Sequence, residues 1–287
     1  MDMLGGEVKF VPKQALSPTP QLYDELVSDC MENLAKMSLT HVASLPDGAL
    51  FNDNGCGTGA GSAAIVAKAS ELSANVSIMG TDINDEALKV YRQRAADGNW
   101  SAEASHMDSN ALCFPDCTFT HIIGNALIFV VPNDGVDVMK EMYRTLKSSG
   151  VAIINSWAYV PNISPLEAAA KATRPVGTPL PRAGVERWEQ GDFLRSIIEQ
   201  GGFSTDNVKI TKGDVQITTS EINRYATMLW SFMGGTTPVG WLRTDEENWD
   251  KAIETIKQEL KKTDGYKELG GGKISLKFVA NIAIATK

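Results

Sequence analysis

Apolar positions along this chain follow two periods. Between residues 49 and 158, apolar runs of strand length alternate with longer stretches spaced at three and four. The pattern predicts strands at 49–54, 76–82, 102–107, 119–125 and 151–158, and helices at 60–73, 85–96 and 134–148. A further helix is predicted at 189–200, stopped by Gly201-Gly202, and two more strands at 204–211 and 274–286. Strands alternating with helices imply an α/β fold with a parallel sheet and helices on both faces. Ahead of the first strand, Leu22, Leu26, Cys30 and Leu34 recur every four residues, with Tyr23 and Val27 beside them. This predicts one helix over 18–37, started at Thr19-Pro20, that packs outside the sheet.

The last two strands are separated by a long insertion, residues 214–272. It holds two helical patterns. Residues 220–233 carry Ile222, Tyr225, Ala226, Leu229 and Phe232, and residues 246–262 carry Trp249, Ile253, Ile256 and Leu260. Between them, Gly234-Gly235-Thr236-Thr237-Pro238-Val239-Gly240-Trp241 reads as a hinge or lid tip. A second insertion, 161–187, is rich in Pro and Gly and is expected to be irregular in part. The organisation expected is an N-terminal helical lid (1–45), a sheet-bearing core (46–213 with 273–287) and a helical cap (214–272).

The chemistry concentrates where the first strand ends. Phe51-Asn52-Asp53-Asn54-Gly55-Cys56-Gly57-Thr58-Gly59-Ala60-Gly61 is a strand, a glycine-rich turn and a helix start. Such glycines let the backbone turn tightly and let a ligand approach, and the helix beyond offers unpaired N–H groups. It is not a phosphate loop, since Ala60-Gly61 stands where a Lys-Ser/Thr is needed. Asp53, just before the turn, would repel a pyrophosphate but would suit a cation with an amino-acid tail. The next strand ends in Ile78-Met79-Gly80-Thr81-Asp82-Ile83, where a carboxylate can accept from both hydroxyls of a ribose. The third ends near Met107-Asp108-Ser109, where a carboxylate can hold an adenine amino group. Three successive β/α units ending in an acid are far more specific than the glycines alone.

With these residues the chain resembles the class I S-adenosylmethionine-dependent methyltransferases, from about Leu50 to Trp157. Within that likeness, Lys140 to Gly150 followed by Val151 to Trp157 is also typical. The ending Asn155-Ser156-Trp157 looks most like fungal natural-product methyltransferases, including the gliotoxin thiol-methylating group. One departure is Phe119-Thr120-His121, where many members carry Phe-Asp. The resemblance implies a Rossmann-like, seven-stranded, mostly parallel sheet with S-adenosylmethionine as cofactor and S-adenosylhomocysteine as its product. It implies that Asp53, Asn54, Gly55, Cys56, Gly57 and Gly59 hold the methionine end and that Asp82 holds the ribose. Ile83 and Asp108 would then face adenine, and Ser109, Asn125 and Ala126 are further expected cofactor contacts.

Charge narrows the acceptor. A net charge of −8 and no Lys/Arg cluster with interleaved aromatics argue against a nucleic acid and for a small molecule. Residues 1–10 hold Gly5-Gly6 and charges rather than an apolar leader, and no 18-residue apolar run appears, so a cytoplasmic protein without a membrane partner is expected, as a monomer or homodimer. Cys30, Cys56, Cys113 and Cys117 are too few and scattered for a disulfide framework, and Cys113 and Cys117 lack a second ligand pair, so no metal is expected. Cys56 reads as a small residue within the turn.

No general base is evident. His41 follows the first helix, His106 lies in the third strand and His121 near the start of the fourth, away from the expected site. Transfer driven mainly by proximity and orientation is expected, or a base from the cap such as Tyr225, Glu221 or Asp24, with Asn125 at the end of the fourth strand beside the transferring methyl; Asn125 and Tyr225 are the candidate catalytic residues. Tyr23, Trp157, Tyr159, Tyr225 and Trp230 are the candidate contacts to a flat, mostly apolar acceptor. The expected activity is O-methylation of an aromatic or alkaloid-like natural product. S- or N-methylation, or a ring-forming or eliminating reaction on the same fold, are the alternatives.

Overall fold

A computed structural model describes residues 10–182 and 184–287; the reading of the first nine residues lies outside them. The sheet is built from β1 (Ala49–Asn54), β2 (Val76–Asp82), β3 (Ala102–His106), β4 (Phe119–Gly124), β5 (Leu146–Tyr159), β6 (Val208–Glu221) and β8 (Lys273–Thr286), in the order β3-β2-β1-β4-β5-β8-β6. An eighth strand, β7 (Lys267–Glu268), has only two residues and pairs with the start of β8, which is the one difference from the seven expected. Strands β1 to β5 are parallel to one another, and β8 is antiparallel to β5. The strand order reverses between β1 and β4, which makes their carboxyl ends the topological switch point.

Alternation along the strands sorts side chains onto two faces. On one face Ile123 and Ile153 pack with Phe51 and Ile78 against α2 (Cys30–Leu39) and α3 (Ala60–Glu71). On the other, Ile122, Ala152 and Ile154 pack with α5 (Val136–Thr145) and α7 (Gly191–Gln200). Helix α4 (Asp85–Asp97) adds a smaller cluster of Leu88, Tyr91 and Ala95 with Cys56. Thr120, at the departure from the family pattern, ties β4 to β1. Its hydroxyl donates to the Leu50 carbonyl and accepts the Leu50 N–H, both at 3.0 Å.

The chain forms two units. One comprises Asp29–Tyr159, Glu186–Gln216 and Phe278–Lys287; the other comprises the chain up to Ser28, Val160–Val185 and Ile217–Lys277. Two elements differ from those expected. The helix expected over 18–37 is two helices, α1 (Pro20–Val27) and α2, broken at Ser28. Ser28 takes φ +46° and its hydroxyl donates to the Thr218 carbonyl. No Gly or Pro marks the break, so spacing alone could not reveal it, and α2 belongs with the sheet. The stretch expected to be irregular contains α6 (Ile163–Thr173), which packs in the helical unit with α8 (Ile222–Met233) and α9 (Trp249–Leu260).

The helical unit is centred on a buried ion pair. Arg174 reaches both oxygens of Asp245 at 2.8 and 2.9 Å, donates to the Gly234 carbonyl, and lies over the rings of Trp230 and Trp241. Removing one partner leaves the other charge buried without compensation. Asp245→Ala should therefore cost about 3–5 kcal/mol in urea unfolding. Breaking the half-exposed Arg224–Glu25 pair in the same unit should cost less than about 1 kcal/mol.

Two titratable groups buried on adjacent strands act in opposite directions. His121 stacks on Phe51 at 4.6 Å, and burial lowers it to about 4. Its contribution to stability is full above the ordinary value near 6.5 and is lost as pH falls toward 4. Asp53 is wholly enclosed, and burial raises it to about 6 against the opposing hydrogen bonds of Ser62. Its contribution is full below the ordinary carboxyl value near 3.8 and is lost as pH rises through 6. The two windows overlap, so the native chain should show a flat profile there. Asp53→Asn should uncover the histidine. Between pH 6.5 and 4 its unfolding free energy should fall by on the order of 3 kcal/mol relative to the native chain. Urea titrations at a series of pH values check this, and parallel profiles would refute it.

Candidate functional site

The turn after β1 is held by the end of β2. The N–H groups of Gly55 and Cys56 both donate to the Thr81 carbonyl, at 2.8 and 2.9 Å. This brings Gly57 to the next residue, Asp82, whose Oδ2 accepts the Gly57 N–H at 2.8 Å. The other oxygen, Oδ1, accepts the Asn84 N–H at 2.8 Å. Two backbone donors thus fix the carboxylate and leave lone pairs on both oxygens for a ligand's hydroxyls. Gly57 has φ +51°, and a Cβ there would meet nothing within 4 Å, so an open cradle lies over it. A Cβ on Gly55 would lie 2.5 Å from Leu127, so the segment after β4 closes directly against the turn.

Asp53 faces away from that opening, toward helix α3. Its Oδ2 accepts from Ser62 at 2.7 Å, its Oδ1 lies against Gly61 and has no hydrogen-bond partner, and Ser62 in turn meets the Tyr91 hydroxyl at 2.7 Å. Since Ser62 has given its proton to the carboxylate, Tyr91 is the donor to Ser62. Asn54 is buried with its Nδ2 unpaired, its Oδ1 accepting from Thr81. Burial raises the Cys56 thiol far above its ordinary range, beyond reach of nucleophilic chemistry at neutral pH.

Ile83 follows Asp82 and is 66% exposed, an apolar surface in the open beside a polar clamp. Asp108 is exposed, its Oδ1 taken by the backbone and side chain of Asn110, and Ser109 is buried. At the end of β4, Asn125 donates to the Met31 carbonyl and Ala126 adopts φ +56°. Trp157 and Tyr159 lie partly exposed at the end of β5, Trp157 against Phe278.

The other candidates lie in the helical unit. Tyr225 is buried and exchanges hydrogen bonds with Asn162; Trp230 is buried beside Trp241; Tyr23 is exposed against Phe232. His106 ends β3 and pairs with Asp85 at 3.0 Å, and His41 meets Thr211. Among the described residues no group of three or more His, Cys, Asp or Glu is placed to hold a metal, and no helix is long and apolar enough to cross a membrane.

Sequence reasoning missed Thr81, Ser62, Tyr91, Leu127 and Asn155 as parts of the site's frame. One of them left a signal. Gly80 interrupts β2, and a Cβ there would lie 2.8 Å from the Tyr91 ring. A glycine inside a strand marks such close approach.

Residues 52–150 match the family model described as a methyltransferase domain. No curated protein sequence matches the chain. Among solved structures the chain is similar to the YcgJ protein of Bacillus subtilis, at 15% identity over 88% of this chain and 97% of that one, with TM-score 0.54. It is similar to a methyltransferase from Bacillus halodurans, described as putative, at 16% identity over 88% and 98%, with TM-score 0.54. A third is phosphoethanolamine N-methyltransferase 2 of Haemonchus contortus, in complex with phosphomonomethylethanolamine and S-adenosylhomocysteine, at 14% identity over 93% of this chain and 56% of that one, with TM-score 0.52. At these identities the structures establish the fold. With the sheet order already described, residues 52–150 are similar to a methyltransferase domain, and the whole has the Rossmann-like α/β fold of these solved structures.

Proposed function

We propose that the chain methylates oxygen on a small, mostly apolar natural product of aromatic or alkaloid-like character. The observation that carries the donor half is the Asp82 carboxylate, fixed by the Gly57 and Asn84 N–H groups beside the open cradle at Gly57. These residues fit S-adenosylmethionine. The lone pairs of Asp82 suit its ribose hydroxyls, exposed Ile83 suits a purine face, and the unpaired Nδ2 of Asn54 is a spare polar group at the end of β1. When bound, the cofactor supplies a methyl group on an electrophilic sulfonium.

The chain's own part is orientation. Backbone hydrogen bonds hold the turn and the acid, so little rearrangement is needed on binding, and fixed geometry lowers a displacement barrier by several kcal/mol. His121 stays neutral and enclosed in the sheet, which supports a reading without a histidine base. An acceptor acidic enough to shed its proton to solvent, such as a phenol, fits this best. The small apolar acceptor is supported by the charge of −8, by the exposed Val130 after β4 and by the partly exposed Trp157 and Tyr159 at the end of β5. Asn125 stands as the proposed catalytic residue.

Metabolite extract incubated with the chain and methyl-labelled S-adenosylmethionine should yield a labelled product whose mass spectrum places the label on oxygen. Label on sulfur or nitrogen would replace the acceptor atom, and cofactor-dependent change without label would favour ring formation or elimination. By calorimetry, Asp82→Ala should weaken S-adenosylhomocysteine by about 2–4 kcal/mol, because two hydroxyls lose a charged acceptor. Gly57→Ala should separate binding from folding. Its methyl group meets no protein atom, so stability should fall by only about 1–2 kcal/mol from the left-handed backbone, while the filled cradle should weaken cofactor binding at least tenfold, about 1.4 kcal/mol. Equal affinity in a folded Gly57→Ala chain would place the ligand elsewhere.

A further inference from the structure

Asn155 lies wholly buried in β5, and its amide makes three hydrogen bonds. Its Oδ1 accepts the Ala126 N–H at 2.7 Å. Its Nδ2 donates to Asn125 Oδ1 at 2.9 Å and to Ser38 Oγ at 3.0 Å. Asn125 then donates from Nδ2 to the Met31 carbonyl at 2.9 Å. The direction of this relay is forced. A backbone N–H can only donate, so the Asn155 atom facing Ala126 is oxygen. Its amino group therefore faces Asn125, which must answer with oxygen. The amino group of Asn125 is left facing Met31, whose carbonyl can only accept. Ser38 agrees, since its hydroxyl proton goes to the Leu34 carbonyl at 2.9 Å and toward Asn155 it can only accept. No flipped arrangement of either amide satisfies all five groups.

The relay ends at the switch point. Asn125 and Ala126 follow β4, the strand beside β1 where the order reverses, and Leu127 abuts Gly55 of the turn. Ala126 holds a left-handed backbone without being glycine, a conformation that needs support. Asn125 keeps one N–H and one oxygen lone pair beyond those the relay uses. We propose that Asn155 is a positioning residue for methyl transfer: it fixes which end of the Asn125 amide faces the donor site and holds Ala126 in its left-handed conformation. The proposal rests on the S-adenosylmethionine reading above. An oxygen held toward a polarised methyl attracts it weakly through C–H···O contacts.

The test compares two ligands that differ by that methyl and its charge. S-adenosylmethionine and S-adenosylhomocysteine are titrated by calorimetry into the full chain and into Asn155→Ala, Asn125→Ala, the double variant and Ser38→Ala. In Asn155→Ala, S-adenosylmethionine should weaken relative to S-adenosylhomocysteine by about two- to fivefold, the size of a C–H···O contact. Asn125→Ala should do the same, and the double variant should add nothing further, since one residue acts through the other. Ser38→Ala, which takes one hydrogen bond from Asn155 but leaves those to Ala126 and Asn125, should lower stability and shift the ratio less than Asn155→Ala does. If Asn155→Ala does not fold, Asn155→Ser takes its place. Parallel weakening of both ligands, or a double variant equal to the product of the singles, would overturn the positioning role. A native chain that binds neither ligand would instead overturn the cofactor reading itself.

Discussion

One carbonyl organises the site. The Thr81 oxygen accepts two successive N–H groups from the glycine turn, Gly55 and Cys56. A backbone carbonyl has two lone pairs, and here both are used on the same turn. The chain leaving β1 is thereby fastened to the end of β2, one residue before Asp82. The Gly57 N–H then falls within 2.8 Å of the Asp82 carboxylate. Turn and acid are thus one hydrogen-bonded piece, and the acid's orientation is inherited from the sheet register, in which Asn54 pairs with Thr81. Without that register the glycines would still permit a turn, but nothing would aim the carboxylate.

Buried polar groups repeat the same device on both sides of β1. Toward α3 and α4, Tyr91, Ser62 and Asp53 form a chain of donors ending on a carboxylate. Toward β4 and α2, Ala126, Asn155, Asn125 and Met31 form a chain whose direction is set by backbone groups. In a low-dielectric interior a satisfied network rigidifies what it touches, while an unpaired member is costly. Both networks end at segments that flank the switch point. The sheet's apolar faces supply stability, and these polar chains supply fixed orientation at its carboxyl edge.

How much of this the sequence revealed follows from the range of each interaction. Period-two and period-four patterns disclosed the sheet and its helices, because Ile122 and Ile123, or Ile153 and Ile154, point to opposite faces and must both be apolar. The acids at the ends of β1, β2 and β3 were legible because each ends a β/α unit at similar spacing. The break at Ser28 was not, since it depends on a hydrogen bond to Thr218, far along the chain. Nor was Asn155, whose role arises from Asn125, 30 residues away, while Tyr91 left only the glycine at position 80 as its signal. Tyr225 and Trp230 are packed within the helical unit, with Tyr225 held by Asn162 and Trp230 under the Arg174 guanidinium.

Asp53 shows why such a site is not optimised for stability alone. Its burial raises the carboxyl to about 6, so at neutral pH the folded chain carries a charge that costs on the order of 3 kcal/mol relative to an unperturbed acid. Ser62 and Tyr91 offset part of this, and the start of α3 favours a negative charge. Yet Oδ1 remains unpaired, and Gly61 must be glycine, since a Cβ there would lie 2.5 Å from that oxygen. An apolar residue at position 53 would remove the desolvation cost but leave the Ser62 and Tyr91 hydroxyls without the acceptor at the end of their chain. A fixed negative charge next to a site for a cationic donor is a reason for a protein to keep that cost. The same acid is therefore a liability to the fold at neutral pH and, on the reading proposed above, an electrostatic asset to the ligand.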